Sequence, residues 1–129
     1  MKPSILASVA AALCASAWSQ TVTKVELAKD RANKPGEIVK AFSTSDNPLH
    51  FVVHLKPLDK PATLMAILTA VHAGKHDNFE VATTNVAAKK GTQSIDFRFR
   101  IHPPWPIGTY RIEIKAGERL LKDLEFEIK

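Results

Sequence analysis

Hydrophobic and polar residues alternate with a period of two along several segments of the chain. The clearest case covers residues 94–102, where isoleucine or phenylalanine fills every odd position and polar residues fill the even ones. Residues 49–56 and 109–115 follow nearly the same pattern. Because successive side chains of a strand point to opposite faces, these segments are predicted to be β-strands with one buried and one solvated face.

Other segments alternate less regularly. Residues 21–28, 37–43 and 78–86 are predicted strands, the last because it is rich in valine and threonine. Residues 63–72 are almost entirely apolar, which fits either a buried strand or a short helix. We favour a strand, because a proline and a glycine bound the segment and its neighbours are strands.

Turn signals separate the predicted strands. They lie at residues 34–36, 46–48, 56–61, 73–78, 89–91, 103–108 and 116–118. Together they predict an all-β protein of about seven to eight strands, the pattern of an antiparallel sandwich or barrel. No sustained apolar stripe of helical period follows the first 17 residues.

The last predicted hairpin has two possible registers. A two-residue turn at Gly117 and Glu118 pairs Ile114 with Leu121, and then requires a bulge near residues 122–123 to keep the later apolar residues inside. A longer loop pairs Ile114 with Leu120 instead. The pattern does not choose between them.

The first 17 residues are predicted to be a secretory signal peptide. A lone lysine precedes an apolar stretch, and Ala15-Ser16-Ala17 forms a small-x-small cleavage site. The apolar run over residues 5–18 is shorter than the ~20 residues of a membrane span. A lipoprotein anchored at Cys14 is disfavoured by the leucine before it. Residues 18–129 are then one domain, and a periplasmic or secreted location is expected.

Composition fits a small globular domain held by its core alone. The 129 residues are 45% hydrophobic and 24% charged. The formal net charge of +5 is scattered along the chain rather than concentrated, and export disfavours nucleic acid as a partner. The single cysteine lies in the predicted signal peptide, so the mature chain is expected to have no disulfide and no thiolate ligand.

Several sequence motifs resemble a recurring bacterial module. They are WPIGTYRIEI at residues 105–114, LL at 120–121, FEI at 126–128 and FSTSD at 42–46. The module is an exported immunoglobulin-like or fibronectin type III-like sandwich, mostly of unassigned function. The resemblance implies an antiparallel two-sheet immunoglobulin-like fold. Its motifs are turn and core motifs, so it transfers no catalytic residue.

Two groups of residues are candidate binding sites. Trp105 lies between Pro104 and Pro106, where it could anchor a partner at the surface or cap the open end of the core. Arg98 and Arg100 share one strand face, where they could bind an anionic ligand or pair with neighbouring acidic residues.

Histidines and a tyrosine offer further chemistry. His72 and His76 flank a turn and could bind Cu²⁺ or Zn²⁺, or could be solvated loop residues. His50 and His54 lie ~13 Å apart on one predicted strand face, too far to share an ion. Tyr110 is expected to fill the core and to bond its hydroxyl to the main chain, as corner tyrosines do.

No nucleotide-binding or hydrolase motif is present, since the glycines are too few and too dispersed. We therefore predict a non-enzymatic binding module of the bacterial envelope, without a cofactor and without stable membrane insertion. Residues 73–78 and 103–108 are expected to carry recognition of an envelope or secreted protein. The alternatives are a periplasmic metal-binding protein and a small inhibitor of an exported enzyme.

Overall fold

A computed structural model describes residues 21–100 and 105–129. The predicted signal peptide, including Cys14, lies outside the described residues. Pro104 and the last two residues of the predicted strand 94–102 lie outside them as well.

The described residues form nine strands. These are β1 (Val22–Arg31), β2 (Lys34–Val39), β3 (Ala41–Phe42), β4 (Leu49–Leu55), β5 (Ala62–Ala73), β6 (His76–Ala88), β7 (Ser94–Phe99), β8 (Gly108–Ala116) and β9 (Arg119–Ile128). The all-β prediction is confirmed. The ambiguous apolar segment 63–72 is part of strand β5.

The strands form two sheets. One has the order β2-β1-β4-β7 and the other β3-β9-β8-β5-β6. Every strand pair is antiparallel except β3 with β9, which is parallel. The chain reaches this parallel position because it passes from one sheet to the other at Lys40, between β2 and β3.

The core lies between the two sheets and is made by the alternating residues that the sequence pattern identifies. An aromatic cluster forms its centre, where the ring of Phe51 packs against Phe42, Phe99 and Phe126 at centroid distances of 5.7, 5.7 and 5.2 Å. Rings at such distances add packing energy to the burial of apolar area. None of the described residues is a cysteine, so burial rather than a covalent link holds the sheets together.

The first hairpin differs from the sequence prediction. The turn was expected at residues 34–36, but Arg31 pairs with Lys34 and the turn residues are Ala32 and Asn33. Both have positive φ, of 54° and 67°, as a type I′ hairpin turn requires. Alanine is an uncommon residue in that conformation, and the proline and glycine that follow are a stronger local signal.

The last hairpin has the two-residue turn. Gly117 adopts a φ of 63°, and Ala116 pairs with Arg119. Ile114 pairs with Lys122, so Leu121 is the extra residue of a bulge. The expected bulge therefore exists, one residue earlier than predicted, and it keeps Leu121 buried together with the later residues of β9.

Within the described residues, no helix is long and apolar enough to span a membrane.

Candidate functional site

The two loops predicted to carry recognition lie at the same end of the sandwich. Ala73 of β5 pairs with Gly108 at the start of β8, which brings the β5–β6 turn next to the loop before β8. A Cβ atom on Gly74 would lie 3.3 Å from Cβ of Pro106. We call residues 74–79 and 106–108 together the loop end.

The loop end is attached to the core by two aromatic residues. Trp105 is 2% exposed and packs edge-on against Tyr110, with ring centroids 6.2 Å apart. The hydroxyl of Tyr110 donates a hydrogen bond to the main-chain carbonyl of Pro106. Burial raises the pKa of Tyr110 above its ordinary value of 10. The predicted core role of Tyr110 and its bond to the main chain are therefore confirmed.

The expectation that Trp105 is displayed for a partner is wrong. Its indole is buried at the open end of the core, the alternative that the sequence also allowed. The main-chain N–H of Trp105 donates to the carbonyl of Thr44, which holds the segment against the loop after β3. Of the two flanking prolines, Pro106 is exposed, and Pro104 lies outside the described residues.

Residues other than Trp105 are the exposed apolar residues of the loop end. Ile107 is 67% exposed and Phe79 is 50% exposed. The Phe79 ring stacks on the ring of His76, with centroids 4.6 Å apart. Both side chains are therefore accessible at the loop end, in contrast to Trp105. Nothing in the sequence indicates that Ile107 is exposed, since an isoleucine before Gly108 also fits an ordinary strand position.

His72 and His76 lie on different faces of the β5–β6 hairpin. His72 pairs across the hairpin with Asp77, and the next pair, Ala73 with His76, faces the other way. Nδ1 of His72 lies 2.6 Å from Oδ1 of Asp77. Among the described residues, no group of three or more histidine, cysteine or acidic side chains is placed to hold a metal ion. Binding of Cu²⁺ or Zn²⁺ by His72 and His76 stays a prediction.

A second polar cluster lies on the outer face of the four-stranded sheet. His50 of β4 has no exposed surface, although its alternation places it on the wet face. Its Nδ1 lies 3.0 Å from both carboxylate oxygens of Asp96, and its Nε2 lies 2.7 Å from Oδ1 of Asp30. Each ring nitrogen of His50 therefore faces a carboxylate, and the imidazole bridges β1 and β7 across β4.

The two arginines bond to the first hairpin on the same face as this cluster. Arg98 is the cross-strand partner of His50 on β7, and its Nη1 donates to the main-chain oxygen of Asn33 at 3.3 Å. Nη2 of Arg100 donates to Oδ1 of Asn33 at 3.0 Å. Because β4 lies between β7 and β1, Arg98 reaches the first hairpin by crossing above His50. The predicted shared face of Arg98 and Arg100 is confirmed, and an anionic ligand for them stays a prediction.

His54 belongs to a separate pair, as its distance from His50 along the strand predicts. Its Nε2 lies 2.6 Å from Oε1 of Glu26, and the ammonium of Lys24 lies 3.1 Å from Oε2 of the same carboxylate. The hydrogen bond from His54 and then the contact with Lys24 lower the pKa of Glu26 below its ordinary value of 4.5. The pair fixes β1 against β4 on the same face as Asp30, but at the other end of the strands.

No protein-family model matches the chain, and no curated protein matches it. Solved structures do. An immunoglobulin-like protein from Pseudomonas aeruginosa has a TM-score of 0.56 at 13% identity, over 85% of this chain and 95% of that one. A mutant β-glucosidase from Listeria innocua in complex with laminaribiose has a TM-score of 0.50 at 17% identity, over 82% of this chain and 16% of the glucosidase.

These similarities define the fold class. The chain is an all-β, two-sheet immunoglobulin-like sandwich, as the resemblance of its closing strands predicted. The corner tyrosine of such sandwiches is Tyr110, at the start of β8. This chain corresponds to a small part of the glucosidase, and likeness at this identity shows the fold alone.

Proposed function

We propose that the protein is an exported, non-enzymatic binding module of the bacterial envelope, and that the loop end binds an envelope or secreted protein. The observation that carries the proposal is the exposure of Ile107, at 67%, on a loop whose neighbouring residues are fixed. Apolar contact residues on a rigid support are the usual centre of a protein interface.

Rigidity of the loop end supports this function. Trp105 is buried directly before the loop, and the Tyr110 hydroxyl holds the carbonyl of Pro106 directly before Ile107. Gly108, directly after it, is packed against the main chain of His72. A loop fixed on both sides loses little conformational entropy on binding, so more of the contact energy appears as affinity.

The charged groups of the described residues favour a binding function over an enzymatic one. The most connected titratable cluster, around His50, is fully occupied by internal pairing with Asp30 and Asp96. His50 has no exposed surface through which a substrate could reach it. Phe79 and Ile107, in contrast, are accessible without any rearrangement of the sandwich.

The test is affinity capture from an envelope extract of the source organism, with Ile107→Ser compared with the unmodified protein. Trp105→Ala is unsuitable, because truncating a buried indole perturbs the core. We expect at least one protein to be retained by the unmodified chain and lost with Ile107→Ser. Phe79→Ser is expected to weaken retention of the same protein.

Ile38→Ser is the matched control. Ile38 is 51% exposed on strand β2 of the other sheet, so its substitution removes a similar apolar area away from the loop end. Circular dichroism verifies that all three variants keep the strand signal. Retention of the same proteins by Ile107→Ser, Ile38→Ser and the unmodified chain would contradict the proposal.

A further inference from the structure

The edges of the two sheets differ in how they are protected. In the described part of the chain the edge strands are β2 and β7 in one sheet, and β3 and β6 in the other. An open edge presents main-chain N–H and C=O groups that can pair with another chain. Natural sandwiches blunt such edges with proline, lysine, charge, bulges or short length.

Three of these edges carry such protection. Strand β2 includes Lys34, and its Pro35 has no N–H to donate. Strand β3 has two residues. Strand β7 has six residues and carries Asp96 and Arg98.

Strand β6 is long and largely unprotected. It has 13 residues, none of which is proline, lysine or arginine. Its first part is irregular, because Asn78 has a φ of 50° and the register against β5 skips Val81. Residues 82–88, in contrast, pair with residues 62–68 without interruption. This second part therefore presents a continuous, uncharged edge.

We propose that residues 82–88 are a self-association surface, which pairs antiparallel with the same segment of a second copy of this chain. The paired segment is centred on Asn85, which lies opposite its own copy at a two-fold axis. The two five-stranded sheets then become one continuous sheet. This inference is independent of the proposed function of the loop end.

The segment is complementary to itself in this register. On the outer face, exposed Thr83 lies opposite Ala87, and Asn85 lies opposite Asn85. Each asparagine amide has both a donor and an acceptor, so the two amides can bond to one another across the axis. The inner face brings together small or β-branched side chains without any like-charged pair: Ala82, Thr84, Val86 and Ala88.

Charge at the two ends of the segment selects a second copy as the partner. Glu80 lies just before the segment, and Lys89 and Lys90 follow it. Antiparallel pairing about a two-fold axis places the acidic end of each copy beside the basic end of the other. A parallel arrangement would instead place the lysines of both copies side by side. The charge pattern therefore favours the antiparallel homodimer.

The expected association is weak. A single strand pair of small side chains buries less area than the roughly 1,200 Å² at the lower limit of stable interfaces. Dimers are therefore expected at protein concentrations of about 0.1–1 mM. Sedimentation velocity over that range measures the association directly.

The test uses charge at the two-fold axis. Asn85→Lys places two lysines opposite each other, and Asn85→Glu places two glutamates opposite each other. Each variant alone is expected to associate about ten-fold more weakly than the unmodified protein, or not at all. An equimolar mixture of the two is expected to associate at least as well as the unmodified protein. Asn85 is exposed, so both variants are expected to fold, which circular dichroism verifies.

Thr23→Lys is the matched control, since it adds the same charge at an exposed position of β1 in the other sheet. It is expected to dimerise as the unmodified protein does. The proposal is overturned if the unmodified protein stays monomeric up to about 1 mM, the upper end of the range in which dimers are expected. It is also overturned if Asn85→Lys dimerises normally, or if the folded variants fail to associate when mixed.

Discussion

The hydroxyl of Tyr110 donates a 2.7 Å hydrogen bond to the main-chain carbonyl of Pro106, four residues earlier in the chain. The ring of Tyr110 is buried and stacks on Phe126 at a centroid distance of 5.8 Å. The bond therefore connects the aromatic core to the loop that presents Ile107. Loss of this one bond is expected to affect both stability and the order of the loop end.

Tyr110→Phe is expected to destabilise the protein by about 1–2 kcal/mol, because the carbonyl of Pro106 loses its donor while the ring still fills its place. Urea denaturation followed by circular dichroism measures the change. Thr23→Val is the control, since it removes an exposed hydrogen bond of 3.2 Å to the carbonyl of His54. That control is expected to change stability by less than about 0.5 kcal/mol. An equal effect of both substitutions would argue against a special role for the corner bond.

Stability at alkaline pH is expected to depend on the same tyrosine. The pKa of Tyr110 is raised by burial above the ordinary value of 10, so the folded state favours the neutral phenol. Its stabilising effect is complete below pH 10 and is lost as the pH rises through the folded-state pKa. Tyr110 is the single tyrosine of the chain, so tyrosinate absorbance reports this residue alone. Ionisation at the ordinary pH without loss of structure would contradict the prediction.

His50→Leu is expected to lower the free energy of unfolding by about 2–3 kcal/mol, because the carboxylates of Asp30 and Asp96 lose their hydrogen-bond partner on the ring between them. The cost falls below that of a fully buried pair, since Asp30 and Asp96 keep 26% and 31% of their side-chain surface exposed. Adding Asp30→Asn and Asp96→Asn to His50→Leu is expected to restore part of the loss. His54→Leu, at a half-exposed position, is expected to cost less than about 1 kcal/mol.

Acid stability is expected to depend on Glu26. Its pKa is lowered in the folded state by the hydrogen bond with His54 and by Lys24, so its stabilising effect is present above the ordinary value of 4.5. The effect is lost as the pH falls through the lowered folded-state value. Glu26→Gln is therefore expected to flatten the dependence of the urea midpoint on pH below 4.5. An unchanged slope in this variant would show that other carboxylates dominate the acid transition.

Gly108→Ala is expected to destabilise the fold by about 3 kcal/mol or more, because its Cβ collides with the main chain. The added atom would lie 2.3 Å from the carbonyl oxygen of His72 and 2.6 Å from Cα of Ala73. Strands β5 and β8 must then separate where they carry the loop end. Gly91→Ala is the control, since it has a φ of 86° but no atom within 4 Å of the added Cβ. Only a strain of about 1 kcal/mol is expected there.

Strands are predictable where alternation is strong, because the burial of one sheet face acts on every second residue. Strands β4 and β7 were predicted to within a few residues on this basis, and the fold class followed from them. The first hairpin was not predictable in the same way. Its turn depends on the positive φ of Ala32, which tertiary pairing imposes against local preference.

The polar cluster around His50 could not be predicted, although each of its members could be placed on a face. Asp30, His50 and Asp96 lie on three different strands, and their meeting depends on the register between those strands. Alternation gives the face of a residue but not the residue opposite it. The sequence did not decide whether Trp105 is buried, since a tryptophan between prolines fits both a surface loop and the cap of a core.

The parallel pairing of β3 with β9 has a consequence for biosynthesis. Ala41 lies beside Glu127, and Phe42 beside Ile128, near the carboxyl end of the chain. Contacts between such distant positions carry a large loop-closure entropy and form late. The β3 edge of the five-stranded sheet can therefore form only after β9 has been synthesised, so the earlier strands cannot complete this sheet among themselves.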